Sequence, residues 1–122
     1  MYRATYRKPN KYKNQPITID GHTFPSKREA NRYSQLSILQ KAGIIRDLKL
    51  QVPFELQPSF KHPETGKTIR AIKYIADFTY IDTRTSEYHI EDVKGSEATM
   101  TKDFKIKRKM FIYKYGMDIE IV

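Results

Sequence analysis

The stretch EDVKG at residues 91–95 places two carboxylates and one ammonium group at the end of an apolar, strand-like run. Asp92 and Lys94 are two residues apart, so both side chains point to one face of an extended strand, and Glu91 points to the other. A carboxylate and an amine on one face can bind a metal ion and activate water. A structural salt bridge that joins Asp92 and Lys94 with Asp77 of the preceding apolar run is the alternative interpretation.

A further acid, Asp77, lies in the preceding apolar run. If residues 74–81 and 87–94 form an antiparallel hairpin, Asp77 lies directly opposite Asp92. Facing residues have Cβ atoms about 4.5–5.5 Å apart, and like charges in these positions destabilise a sheet. The hairpin therefore needs a compensating cation near the two aspartates, and a divalent metal ion is the natural candidate.

These strands follow a segment with helical spacing of apolar residues. Ser26 is a candidate N-cap, Gly43 is a stop signal, and the apolar positions between them repeat every three or four residues. Glu29 is in phase with the apolar Tyr33, so its carboxylate can face the sheet. Ser26 and Glu29 also fit a capping box, which gives Glu29 a purely structural role, and both interpretations stay open.

The order of the remaining segments predicts the fold class. Three runs have strand-like composition: residues 48–60, 69–81 and 87–94. Helical spacing returns at residues 101–115 and ends at Gly116, before a short apolar run at the C-terminus. The predicted order is α-β-β-β-α-β, an α/β (α+β) fold in which helices flank a mixed sheet.

Length and composition limit the class of protein. A chain of 122 residues has room for one domain, predicted at residues 17–122, after a flexible basic arm at residues 1–16. There is no cysteine, which excludes disulfides and thiolate zinc sites. A mean hydropathy of −0.71 and the lack of a long apolar run argue against membrane association. No secretory signal is evident, so we expect a cytoplasmic location.

The net charge of +9 is concentrated in two segments. Residues 1–19 and 101–115 each carry +5, and the rest of the chain sums to −1. Such a distribution suits a polyanion such as nucleic acid, whereas solvated charge that maintains solubility is the alternative. The candidate DNA contacts are Lys102, Lys105 and Lys109 on the second helix, with Lys27 and Arg28 at the start of the first.

The motifs FPSKREANRY, YIADFTY and IEDVKG, in this element order, resemble the PD-(D/E)xK nucleases. More narrowly, they resemble a family of small bacteriophage proteins assigned to that superfamily, over about residues 24–115. The resemblance implies a restriction-endonuclease-like αβββαβ core. Two positions depart from the motif: Ala76 replaces the proline, and Asp92 stands where glutamate is commoner.

This resemblance implies a metal-dependent endonuclease of phage or mobile-element DNA processing or recombination. Asp77, Asp92, Glu29 and the Val93 carbonyl would bind Mg²⁺ or Mn²⁺, since these ions prefer oxygen ligands. Lys94 would orient or activate the attacking water. A homodimer is expected, at least on DNA, because coordinated cutting of two strands needs two sites, and accessory phage replication or recombination proteins are conceivable partners. The alternative is a catalytically inert nucleic-acid-binding protein with the same fold.

Overall fold

The computed structural model describes residues 15–95 and 99–122, so nearly all of the predicted basic arm lies outside the described residues. The described elements, in chain order, are β1 (Ile17–Ile19), β2 (His22–Phe24), α1 (Lys27–Lys41), β3 (Ile45–Gln57), β4 (Phe60–Lys61), β5 (Thr68–Ile69), β6 (Ile72–Asp82), β7 (Tyr88–Asp92), α2 (Lys102–Tyr115) and β8 (Glu120–Ile121). Neither of these helices is long and apolar enough to cross a membrane.

Four of the strands form the central sheet, in the order β3-β6-β7-β8. The pairs β3–β6 and β6–β7 are antiparallel, and β7–β8 is parallel. The sheet is therefore mixed, and the predicted α+β class is confirmed, with α1, β3, β6, β7, α2 and β8 as the six predicted elements. The hairpins β1–β2 and β4–β5 are additions that the coarse prediction did not separate.

Helix α1 covers one face of the sheet. Ser26 is its N-cap and accepts a hydrogen bond from the Glu29 amide (3.2 Å), and its buried positions are Glu29, Ala30, Tyr33 and Leu36. The apolar ones among them pack against Phe78 and Tyr80 of β6. The capped start and the helical spacing thus agree with the sequence prediction, and they bring Glu29 to the sheet side of the helix.

Helix α2 covers the opposite face. The Thr101 hydroxyl accepts from the Phe104 amide (3.0 Å) at its start, and Gly116 ends it in the left-handed conformation, with φ 67°. Phe104 and Phe111 are buried against β3 and β6, in a cluster that includes Tyr74. Each such side chain contributes about 1.5–3 kcal/mol when fully buried. The two helices therefore hold the sheet between two separate apolar clusters.

The side-chain alternation of β3 and β6 reverses near the middle of both strands. In β6, Tyr74 packs in the cluster under α2, whereas Phe78 packs in the cluster under α1, although side chains four positions apart in a regular strand point to the same face. In β3, Gln51 has φ 53°, a left-handed conformation that is rare for residues other than glycine. The register places Gln51 opposite Asp77. Irregularities of this kind redirect side chains, and here the reversal occurs at Asp77.

Candidate active site

The β6–β7 register agrees with the predicted hairpin. Phe78 pairs with Glu91 and Thr79 pairs with Ile90, so the same register places Asp77 opposite Asp92. Asp92 is the last residue of β7. The last backbone pair between β6 and β7 is Phe78–Glu91, so the side chains of both aspartates lie where the hydrogen bonds between these two strands stop.

Hydrogen bonds orient the Asp77 carboxylate. Its Oδ2 accepts from the Val93 amide (2.8 Å), and its Oδ1 accepts from Gln51 Nε2 at 3.4 Å. Burial raises the pKa of Asp77 above its ordinary value, and the negative charge of Asp92 raises it further. Two aspartates that repel each other at the end of a hairpin are the arrangement that the sequence predicted to need a cation.

The buried Asp92 carboxylate has two partners. Tyr74 donates its hydroxyl to Oδ2 (2.7 Å), and Lys94 Nζ lies 3.2 Å from Oδ1. Burial and the bond to Asp92 raise the pKa of Tyr74, which keeps its hydroxyl as a donor. Lys94 Nζ also lies 4.3 Å from the centre of the Phe104 ring. Of the salt bridge that the sequence left open, the Asp92–Lys94 contact is therefore formed, and α2 supplies the aromatic surface below the ammonium group.

The Glu29 carboxylate completes the group. Only its backbone takes part in the Ser26 cap, and among the described residues its carboxylate has no hydrogen-bond partner. Its side chain is buried, with 8% of the residue exposed. The pKa of Glu29 is raised to about 7 by burial, then by the charges of Asp77 and Asp92, while Lys94 opposes the shift. Glu29 is thus within electrostatic reach of all three other candidates.

An open cleft of about 1020 Å³ gives access to this group. Glu29 and Asp77 lie in its wall, between the β1–β2 hairpin and the middle of β3. Much of the remaining wall is apolar, with contributions from Phe24, Leu50 and Val52. A solute that enters the cleft therefore reaches two of the three carboxylates.

The carboxylate oxygens at this site are ligands that Mg²⁺ and Mn²⁺ prefer, although the protein does not supply all the ligands that such an ion needs. Among residues 15–95 and 99–122, no group of three or more His, Cys, Asp or Glu residues is arranged to hold a metal ion. Mg²⁺ usually binds one or two carboxylates and takes its other ligands from water and substrate phosphates. Asp77 and Asp92 provide two such carboxylates, with Glu29 nearby. Val93 uses its amide on Asp77, and the metal role of its carbonyl stays a prediction.

The Glu91 carboxylate points away from the candidate site, as expected from the alternation of side chains along β7. It is fully buried (0% exposed) and accepts two bonds from Arg32, from Nε at 2.7 Å and from Nη2 at 2.5 Å. Tyr80 donates a third bond to the same carboxylate. Sequence analysis identified neither these partners nor Tyr74. Among the other residues that contact the site, only Gln51 could have been found from the sequence. If the pairing had been extended from β6 to β3, Gln51 would have been placed opposite Asp77.

The predicted DNA contacts fall on two surfaces. Lys102, Lys105 and Lys109 are exposed on α2, and Lys27 and Arg28 are exposed on the first turn of α1. No ion pair with another described residue involves any of these five side chains, whereas Lys107 of α2 lies 3.7 Å from Asp103. Helix α2 begins close to Lys94, and Lys27 and Arg28 directly precede Glu29 on α1. Both surfaces therefore flank the carboxylates.

Comparison with known proteins gives one match. A family model described as "Protein of unknown function (DUF1064)" matches residues 9–121, nearly the whole chain. No curated protein and no solved structure matches. The description of the family states no activity, so any activity has to be argued from the site itself.

Proposed function

The chain belongs to this family of unknown function, and we propose that it is a metal-dependent endonuclease that hydrolyses phosphodiester bonds in DNA. One observation carries the proposal: Asp77, Asp92, Glu29 and Lys94 converge beside an open cleft. Burial, together with the charges of Asp77 and Asp92, raises the pKa of Glu29 to about 7, and such a group of acids is costly for a fold to keep. A bound divalent cation and a phosphate substrate would offset this cost.

Hydrolysis of a phosphodiester needs an aligned water molecule and neutralisation of the negative charge that grows on the phosphoryl and leaving oxygens. When bound, Mg²⁺ or Mn²⁺ would supply a Lewis acid for those oxygens and lower the pKa of a bound water. Asp77 and Asp92 would hold the ion, with Glu29 and the Val93 carbonyl as additional oxygen donors. Lys94 lies beside Asp92 and would orient the water and the phosphate.

Neighbouring residues keep these groups in position. The Tyr74 hydroxyl fixes one oxygen of Asp92, and the Val93 amide fixes one oxygen of Asp77. The Phe104 ring lies under the Lys94 ammonium group. Each aspartate therefore has at least one oxygen held by a neutral donor, which restricts the rotamer and leaves the negative charge of the carboxylate in place.

The exposed lysines of α2 support a nucleic-acid substrate. Of these, Lys102, Lys105 and Lys109 form no ion pair with a described acid, and they lie beside the carboxylates of the site. Such an arrangement suits a phosphate backbone, because the lysines attract the phosphates that the carboxylates alone would repel. Together with the motif resemblance, this favours a nuclease of the PD-(D/E)xK type, acting in the cytoplasm on phage or mobile-element DNA. A homodimer on DNA would supply the second site that paired cuts require.

Cleavage of labelled linear, forked and four-way DNA, with Mg²⁺ or Mn²⁺ and with EDTA, tests the proposal. We expect metal-dependent cutting that Asp92→Asn lowers by at least about 10²-fold, while DNA binding is kept. Asp47→Asn is the matched control, because Asp47 is an exposed acid at φ 56° and asparagine tolerates that conformation. Full activity of the Asp92→Asn protein, or equal activity in EDTA, would refute the assignment.

The inert nucleic-acid-binding protein is the second candidate. It is favoured by the lack of a three-ligand metal group among the described residues and by the two partners that already hold Asp92. In that case the Asp92–Lys94 contact is a structural salt bridge, and binding should be independent of metal. DNA binding without cleavage of any of the three substrates would establish this alternative.

A further inference from the structure

A second groove, of about 490 Å³, lies along the N-terminal half of α1. The wall that α1 contributes consists of three cationic and two amide side chains: Lys27, Arg28, Asn31, Arg32 and Gln35. Val93, which directly follows β7, and Val122, which directly follows β8, form the other wall. None of the described side chains that line this groove is acidic, in contrast to the cleft that contains Glu29 and Asp77.

The cations of this groove fall into two classes. Arg32 is neutralised by Glu91 and also donates to Gln35 Oε1 (2.9 Å), so its guanidinium is held in place. Lys27 and Arg28 are exposed, and neither forms an ion pair with an acid in the described part of the chain. The groove therefore has two positive charges that no described acid neutralises, next to the fixed guanidinium of Arg32.

This groove adjoins the candidate active site through the backbone. The Val93 amide in its wall bonds to Asp77, and the flanking residues are Asp92 and Lys94. Gly95 has φ 82°, and a Cβ placed on it would lie 3.5 Å from Arg28 Nε. The Arg28 side chain therefore lies against the end of the segment that carries Asp92 and Lys94.

We propose that this groove is a phosphate-binding subsite that holds the DNA strand next to the scissile phosphate. The inference rests on the proposed nuclease function. A guanidinium offers paired N–H donors that match phosphate oxygens, and an ammonium adds a point charge. The bound group is either an internal phosphodiester or a 5′-terminal phosphate, which share this chemistry. The subsite positions the strand and takes no part in the chemical step.

The groove is distinct from the lysine surface of α2, since α1 and α2 cover opposite faces of the sheet. Substrate would then be held on both sides of the carboxylates, by α2 on one face and by this groove on the other. Removing either set of cations should weaken binding separately, because each set contacts different phosphates.

The test is the double variant Lys27→Gln/Arg28→Gln in an Asp92→Asn background, so that DNA stays intact. Binding of a single-stranded oligonucleotide with a 5′-hydroxyl or a 5′-phosphate is followed by fluorescence anisotropy at several salt concentrations in EDTA. We expect the slope of log K against log salt to flatten by about 1.4, which is about 0.7 for each lost contact to a single strand. Equal losses for both oligonucleotides identify an internal phosphate, and a loss confined to the phosphorylated one identifies a terminal phosphate.

Lys41→Gln/Lys67→Gln is the matched control, because it removes the same charge from exposed positions outside the groove; Lys41 is on α1, about 20 Å from Lys27 along the helix axis. An unchanged slope in the groove variant, or an equal flattening in the control, would overturn the proposal. With Asp92 intact, the groove variant should raise KM several-fold and leave kcat within about twofold. A fall in kcat alone would also overturn it. If the intact protein cleaves no DNA, the nuclease proposal fails, while the binding experiment still decides the groove.

Discussion

Replacing Glu29 by glutamine should stabilise the protein above pH 7, although Glu29 follows the helix N-cap. The Glu29 carboxylate is buried beside Asp77 and Asp92 and accepts no hydrogen bond from a described residue, so its ionised form is disfavoured in the folded state. Glutamine is nearly the same size and carries no charge. The variant therefore keeps the packing of α1 and removes the repulsion.

The sign and size follow from the pKa of Glu29. Below pH 4.5 the carboxyl group is neutral in both states, and its ionisation does not affect stability. As the pH rises from 4.5 to about 7, the unfolded chain loses this proton while the folded protein keeps it, so the free energy of unfolding falls. One pKa unit corresponds to about 1.4 kcal/mol, so the shift from 4.5 to about 7 gives a penalty above pH 7 of at most about 3.5 kcal/mol. Solvent access through the cleft reduces it, and we expect a gain of about 1–3 kcal/mol for Glu29→Gln at pH 8.

Urea denaturation from pH 4.5 to 8.5, in EDTA, measures this gain. The difference between Glu29→Gln and the unmodified protein should be near zero at pH 4.5 and grow with pH. Glu64→Gln, which changes an exposed acid in the β4–β5 turn, should show no such trend. A Glu29→Gln protein whose free energy of unfolding at pH 8 does not exceed that of the unmodified protein would refute the reasoning, since glutamine can also serve at this position of a capping box. In either case, the cleavage rate of this variant shows whether the carboxylate is also needed for activity.

Three further predictions concern the surroundings of the site. Tyr74→Phe removes one hydrogen bond to the Asp92 carboxylate, so we expect a stability loss of about 1.5–3 kcal/mol in thermal melts and a lower cleavage rate. Arg32→Met leaves the Glu91 carboxylate buried without its cation and should cost about 3–5 kcal/mol in urea denaturation, whereas an unchanged midpoint would contradict the role of this pair. Joint neutralisation of the exposed α2 lysines should flatten the slope of log K against log salt for duplex DNA by about 0.9 per lost phosphate contact, and an unchanged slope would place the DNA elsewhere. These are Lys102, Lys105 and Lys109.

Much of the framework of the site can be predicted from the sequence, because it depends on local patterns. The apolar alternation of β6 and β7 and the turn between them determine one hairpin register, which brings Asp77 opposite Asp92. The same alternation separates Asp92 from Glu91. Ser26, Gly43 and the helical spacing between them place Glu29 on the buried side of α1.

Only the tertiary structure decided how these groups meet. The reversal of side-chain direction at Gln51 and Asp77 depends on pairing between β3 and β6, and periodicity within one strand does not reveal it. The Glu91–Arg32 pair joins residues 59 positions apart, and the Tyr74–Asp92 bond joins residues 18 apart. The burial that raises the pKa of Glu29 comes from packing α1 on the sheet. The sequence therefore determined which groups lie on which face, since backbone periodicity is local, whereas their partners and charge states depend on contacts that form only when the helices pack on the sheet.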